Sequence, residues 1–142
     1  ICEQLKDIAL RVRSQFAVES LEYLYKGGRC SQTAYFLGQG FKIKPIIRVV
    51  DGKMIVYKKP IGKITNALNK LIDIFNEDLK ANNVELGTVM ITHSIADNSC
   101  EYLFNELKKL IPEENIMITK AGCVVSSHCG KGTIGILYIL KK

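Results

Sequence analysis

The chain has 142 residues, 47% of them apolar and 24% charged, with a net charge of +6 at pH 7. That length suits one domain and that balance a folded globular one, so intrinsic disorder is excluded. No apolar run approaches the roughly 18–20 residues that cross a bilayer, and Ile1-Cys2-Glu3-Gln4 lacks the basic-then-apolar pattern of a signal segment.

The five cysteines are odd in number and contain no C-x-x-C pair, which speaks against a zinc site or a disulfide framework and for a reducing, cytoplasmic setting. Cys100, on an apolar helical stripe, and Cys123, before Val124-Val125, read as small buried hydrophobes. Cys30 and Cys129 sit beside glycine-rich turns where a thiol would be accessible, and no chemistry is assigned to them.

In chain order, Ile1, Leu5, Ile8, Ala9 and Val12 recur at helical spacing and predict an amphipathic helix over residues 1–13. The chain starts inside this pattern without a capping residue or an initiator Met, so the sequence is expected to be a fragment with a segment upstream. Phe16-Ala17-Val18 reads as a short strand. Ser20 can cap a helical turn through Leu21, Leu24 and Tyr25 that Gly27-Gly28 ends, and Ser31 can cap a second short helix carrying Ala34 to Leu37. Residues 43–50 and 53–59 flank Asp51-Gly52, a pair whose tolerance of positive φ predicts a tight hairpin.

After Pro60, the stripe Ile64, Ala67, Leu68, Leu71, Ile72, Phe75 and Leu79 predicts one long helix ending near Asn82-Asn83. Residues 84–92 read as a buried strand. Asp97 is expected to cap a helix carrying Cys100, Leu103, Phe104, Leu107 and Leu110, which Pro112 closes. Residues 116–119 and 134–140 complete the strands, with a loop between them. Two long helices among about six strands give an α/β, two-layer domain with a mixed sheet and helices mainly on one face, which leaves another face for a ligand or partner domain.

Two glycine-rich segments can carry chemistry. In Lys26-Gly27-Gly28-Arg29 a helix ends and delivers a guanidinium whose forked donors suit a carboxylate or phosphate; a helix C-cap followed by a solvated arginine is the plain alternative. The second segment, residues 121–133, holds Ser126, Ser127, His128, Gly130, Lys131 and Gly132, and can offer an imidazole and backbone N–H groups to an anionic head group. A histidine bonded only to backbone is its alternative. Gly132 follows Gly130-Lys131 where a nucleoside triphosphate loop needs Ser or Thr, so that reading fails. His93, at the end of an apolar strand, reads as structural. There is no pair of loop carboxylates, no Ser-His-Asp constellation and no metal-binding spacing, and the basic residues are spread without a nucleic-acid reader's aromatic pattern.

Leu21-Glu22-Tyr23-Leu24 through Gly27-Gly28-Arg29, then Phe36-Leu37-Gly38, Ile43-Lys44-Pro45-Ile46 and Ser127-His128-Cys129-Gly130-Lys131-Gly132, resemble the DegV family over most of the chain. The resemblance implies the second, C-terminal domain of a two-domain protein over residues 1–142, with the first domain absent. It implies a long-chain fatty acid as ligand, no cofactor or metal, and no bond chemistry by the chain itself. The carboxylate would lie near Arg29 and His128, with Gly27, Gly28, Ser127, Gly130 and Gly132 shaping the ligand loops. The partners implied are a separate fatty acid kinase and, through the remaining positive charge, an acidic surface such as an anionic membrane; nucleic acid is not among them. A substrate-binding role like that of the dihydroxyacetone kinase substrate domain is the alternative. Two departures stand out: Lys131 replaces the family's proline, which frees the loop, and Cys30 replaces an aliphatic residue.

Overall fold

In the computed structural model, which describes residues 2–28 and 42–142, five helices and six strands alternate along the chain. They are α1 (Cys2–Arg11), β1 (Val12–Ala17), α2 (Glu22–Lys26), β2 (Ile46–Val50), β3 (Lys53–Lys58), α3 (Ile64–Lys80), β4 (Val84–Ser94), α4 (Asp97–Leu107), β5 (Ile116–Lys120), α5 (Cys123–Cys129) and β6 (Thr133–Leu140). The strands form one mixed sheet in the order β3-β2-β1-β6-β4-β5, with β4 and β5 the parallel pair and the rest antiparallel. The predicted α/β class with about six strands is the observed one. No helix among the described residues is long and apolar enough to cross a membrane.

Side-chain alternation splits this sheet into two unlike faces. One carries Ala17, Ile91, Ile134, Ile136 and Tyr138 and is covered by α3 through Ala67, Leu68, Leu71, Ile74 and Phe75 and by α4 through Cys100, Leu103 and Leu107. The apolar stripes read from sequence are therefore what the helices bury. Asp51 and Gly52 both take positive φ, 49° and 72°, and turn β2 into β3 as the dipeptide predicts. Asn82, at φ 57°, ends the α3 segment. At Gly135 an added Cβ would lie 2.6 Å from the Gln15 carbonyl oxygen, so β6 sits against β1 only because it has a glycine there.

A polar seam runs through this covered face. Tyr138 is buried, its ring edge-on to Phe75 at 5.1 Å, and its hydroxyl donates to Asp78 at 2.6 Å while accepting from Gln15 Nε2 at 3.4 Å. The Arg48 guanidinium donates to Gln15 Oε1 at 2.8 Å and stacks 3.6 Å over the Tyr57 ring. These bonds offset part of the cost of burial, while Arg48 Nε stays buried without a hydrogen-bond partner among the described residues.

Several local expectations need correction. The first helix stops at Arg11, because the chain turns into a longer β1 than Phe16–Val18 suggested, and its apolar stripe is not buried: Leu5 is 59% exposed. Arg11 instead ties the helix end down, donating to the Leu140 carbonyl at 2.7 Å and pairing with Glu85 at 2.9 Å. Asp97 begins α4 but makes no capping bond, and Ala96 occupies the cap position. Cys123 is exposed and Cys129 buried, the reverse of the reading from their neighbours, because residues 123–129 form a helix in place of the expected loop. Cys100 is buried as expected, and burial pushes both its thiol and that of Cys129 up, away from the reactive thiolate. The short helix expected after Ser31, and Cys30 itself, lie outside the described residues.

Burial and the bond to Asp78 hold the Tyr138 phenol neutral well above its ordinary pKa of 10.0. The unfolded chain ionises near that ordinary value, so the stability this group contributes is complete below about pH 10 and is lost as pH rises beyond it. Tyr138→Phe is expected to cost about 1–3 kcal/mol in urea unfolding at pH 7 and to remove part of the alkaline loss of stability.

Candidate functional site

The second face of the sheet carries the site. Two short helices pack over its upper end, α2 with its Gly27-Gly28 turn and α5 with its Gly130 turn, burying Val18, Leu21, Leu24, Ile47 and Cys129 in a small core of their own. Glycines at each helix end interlock them. A Cβ on Gly27 would stand 2.5 Å from His128 Nδ1 and 3.3 Å from its Cε1, so the imidazole of α5 rests directly on the backbone that ends α2. Reciprocally, a Cβ on Gly130 would fall within 2.8 Å of Tyr23 Cγ, so the tyrosine ring of α2 lies on the turn that ends α5. Gly130 also holds φ at 83°, where an L side chain is strained.

This arrangement brings two of the predicted segments together. His128 stands half-buried against Gly27, the residue two before Arg29; Arg29 itself lies outside the described residues. The glycines contribute shape more than donors. The N–H of Gly27 bonds to the Tyr23 carbonyl at 2.9 Å, that of Gly28 to Tyr25 at 3.0 Å, that of Gly130 to Ser126 at 2.9 Å and that of Gly132 to Ser94 at 2.7 Å. Ser127 is exposed and its hydroxyl donates to the Cys123 carbonyl at 2.8 Å, within its own helix. Lys131 is exposed on the turn. His93 is buried, and its Nδ1 accepts the Ala96 N–H at 3.2 Å, the structural role expected of it. No group of His, Cys, Asp and Glu among the described residues is arranged to hold a metal ion.

Below α5 the sheet opens into a cavity of about 430 Å³. Phe16, Val49, Met54 and Leu137 form its apolar floor, Val124 and Val125 of α5 its wall, and His128 stands in that same wall. Ser14, Thr92, His93, Lys120 and Thr133 give, with His128, the polar part of its lining. Thr92 is already bonded to Thr119 at 2.7 Å, Thr133 to the Cys129 carbonyl at 2.9 Å, and His93 Nδ1 accepts from Ala96 at 3.2 Å, which leaves the His128 imidazole, the Lys120 ammonium and the Ser14 hydroxyl as the polar groups best suited to an anion. Val124 and Val125 remain 68% and 50% exposed, so the described residues do not close the cavity. A larger cleft of about 570 Å³ lies beside the start of α3, but Glu19, Lys42, Lys44 and Lys63 line it and Lys44 is paired with Glu19 at 2.7 Å. Charged walls of that kind do not suit an apolar ligand.

The model of the DegV family, described as uncharacterised proteins, matches residues 1–141. The chain belongs to the DegV family. It is 28% identical to protein DegV of Bacillus subtilis over 141 residues, covering 99% of this chain and 49% of that protein. A fatty acid binding DegV family protein of Streptococcus agalactiae superposes with a TM-score of 0.81 at 28% identity, over 99% of this chain and 49% of the other. The Streptococcus pneumoniae fatty acid kinase B3 protein, loaded with linoleic acid, has the same fold at 17% identity and a TM-score of 0.79, over 99% and 48%. This DegV chain thus spans about half the length of the relatives it matches.

The residues that sequence reading missed in this DegV chain are Tyr23, the floor and the wall. The short strand read from Phe16-Ala17-Val18 gives Phe16 no face; once β1 starts at Val12, period two places Ser14 and Phe16 opposite the buried Gln15 and Ala17, a signal legible in the sequence. Val124 and Val125 reach the cavity because residues 123–129 are helical, which a loop reading hid. Nothing in the sequence pairs Tyr23 with Gly130, since that contact joins elements about a hundred residues apart.

The interlock yields a direct expectation. Gly27→Ala puts a methyl into the His128 ring and should shift the His128 ring resonances by NMR while costing about 1–3 kcal/mol, the usual range for overpacking. Unmoved His128 resonances would show that the ring does not rest on Gly27.

Proposed function

We propose that this chain is the second, C-terminal domain of a fatty-acid-binding DegV protein, and that the remaining half of its relatives' length corresponds to a first domain that closes the site. The acyl chain lies along the apolar cavity floor, and the carboxylate sits at the end marked by His128, with Arg29 as its second partner. One observation carries this reading: an apolar trough on the uncovered sheet face has an orientable imidazole in its wall. The fatty-acid ligands of the similar proteins from Streptococcus agalactiae and Streptococcus pneumoniae support it. The apolar lining also favours an acyl chain over a triose, for which such a floor has no use.

The chemistry is that of a carrier. Burial of a methylene is worth about 0.8 kcal/mol, so a long chain gains roughly 10 kcal/mol at most when fully enclosed. A carboxylate held by an N–H and a guanidinium stays anionic and oriented, ready for a separate fatty acid kinase to phosphorylate it. This chain holds and presents the acid and breaks no bond.

Native mass spectrometry of the protein as its gene encodes it is expected to show one long-chain acid per copy. His128→Ala and Arg29→Ala should each weaken binding by about 1.5–3 kcal/mol, roughly 10- to 150-fold, the range of a hydrogen bond to a charged group. Unchanged binding in both variants would overturn the carboxylate assignment, and an empty protein would overturn the ligand. Phosphorylation of the bound acid by the kinase should fall in the same variants.

A further inference from the structure

His93 is only half used by the fold. It lies one residue before the end of β4, is 4% exposed, and accepts the Ala96 N–H on Nδ1 at 3.2 Å, so the proton of its ring sits on Nε2. That Nε2–H has no hydrogen-bond partner among the described residues. Nor is it sealed in the core: among the described residues, the buried side-chain atoms that lack a partner are Arg13 Nε and Arg48 Nε. His93 lines the cavity under α5, so the unused N–H opens there.

The chain path sets where this donor meets a ligand. The His93 carbonyl accepts the Ala121 N–H at 2.8 Å, just before α5 begins at Cys123, whereas His128 lies in the last turn of that helix. The two imidazoles therefore stand roughly one length of α5 apart, about 10 Å at the helical rise per residue. An acid whose carboxylate is at His128 reaches His93 part-way along its acyl chain. Lys120 is in register with His93 on β5 and lines the same cavity, but it is exposed and keeps its own water. His93 does not. Water reaches its N–H only through the cavity, and a plain acyl chain that fills the cavity replaces that water with methylenes.

We propose that His93 is a specificity-determining residue, and that the site takes long-chain acids bearing a hydroxyl or oxo oxygen on the chain, which accepts the His93 Nε2–H. This selectivity presupposes the fatty-acid reading above and names which acids fill the site. A buried donor discriminates against a ligand without an acceptor, because that ligand leaves the donor unpaired, whereas an apolar pocket by itself separates similar chains only weakly. A purely structural His93 needs Nδ1 alone and gives no preference among acids.

The test is competition for the delipidated protein, as its gene encodes it, between octadecanoic acid and its derivatives with a hydroxyl or an oxo group at the tenth carbon, read by native mass spectrometry. At least one derivative is expected to bind about tenfold more tightly than the parent acid, the factor set by one buried donor left unpaired. His93→Phe, which keeps a ring but no N–H, should bind all three alike. In NMR spectra of the isotope-labelled wild type, the His93 Nε2 resonance should move with the preferred derivative and stay in place with octadecanoic acid, while the His128 resonances move with every acid. That measurement decides the matter even where His93→Phe does not fold. Equal binding of the three acids by the wild type, a preference that survives His93→Phe, or an unmoved His93 resonance would overturn the proposal alone. Binding of none of them would overturn the fatty-acid reading together with it.

Discussion

Strand β6 is the last element of the chain and the centre of its sheet, hydrogen-bonded to β1 on one side and β4 on the other. It joins a half made of β1, β2 and β3 to a half made of β4 and β5, and neither half touches the other through its own strands. Its close seating against β1 depends on Gly135, which leaves room for the Gln15 carbonyl. Its alternation then sets the character of both faces. Ile134, Ile136 and Tyr138 go to the helices, while Thr133, Gly135 and Leu137 go to the cavity. A one-residue slip would exchange these sets, putting Tyr138 in the trough and stranding Asp78 and Gln15 without their partner.

The two faces solve opposite problems. On the covered one, apolar burial is dense enough that even its polar residues are chained together, from Arg48 through Gln15 and Tyr138 to Asp78. On the other, the small core under α2 and α5 is just large enough to seat two short helices, which have too few residues to be stable alone. What they lack in burial they recover by interlocking through glycine. That contact places an imidazole at a defined point above an apolar floor, which is the arrangement an amphiphile with one anionic end requires. The glycine N–H groups are all taken by backbone carbonyls, those of Gly27, Gly28 and Gly130 within their own turns and that of Gly132 by Ser94 of β4.

Much of this architecture was legible in the sequence because it rests on local pattern. The α3 and α4 stripes, the Asp51-Gly52 turn and the Asn82 terminator all follow from spacing or from backbone preference within a few residues. The failures share a cause as well. The α1 stripe looked like a buried face, yet the sheet gives it little to pack against. Residues 121–133 looked like a loop because glycines and hydroxyls bracket them, and only contact with α2 and the sheet makes a seven-residue helix worth forming. Cys123 and Cys129 exchanged roles for that reason, since in a helix their exposure is set by which side faces the core.

By itself the sequence determined the class of fold, the lengths of the long elements and the two segments where chemistry can reside, because hydrophobic period, turn preference and residue type are properties of neighbours along the chain. Tertiary structure decided that these segments meet. It set His128 on Gly27 and Tyr23 on Gly130, and turned Phe16 and Leu137 toward one cavity. Those outcomes depend on strand order and on which surface remains uncovered, and they are fixed only when distant parts of the chain compete for the same core.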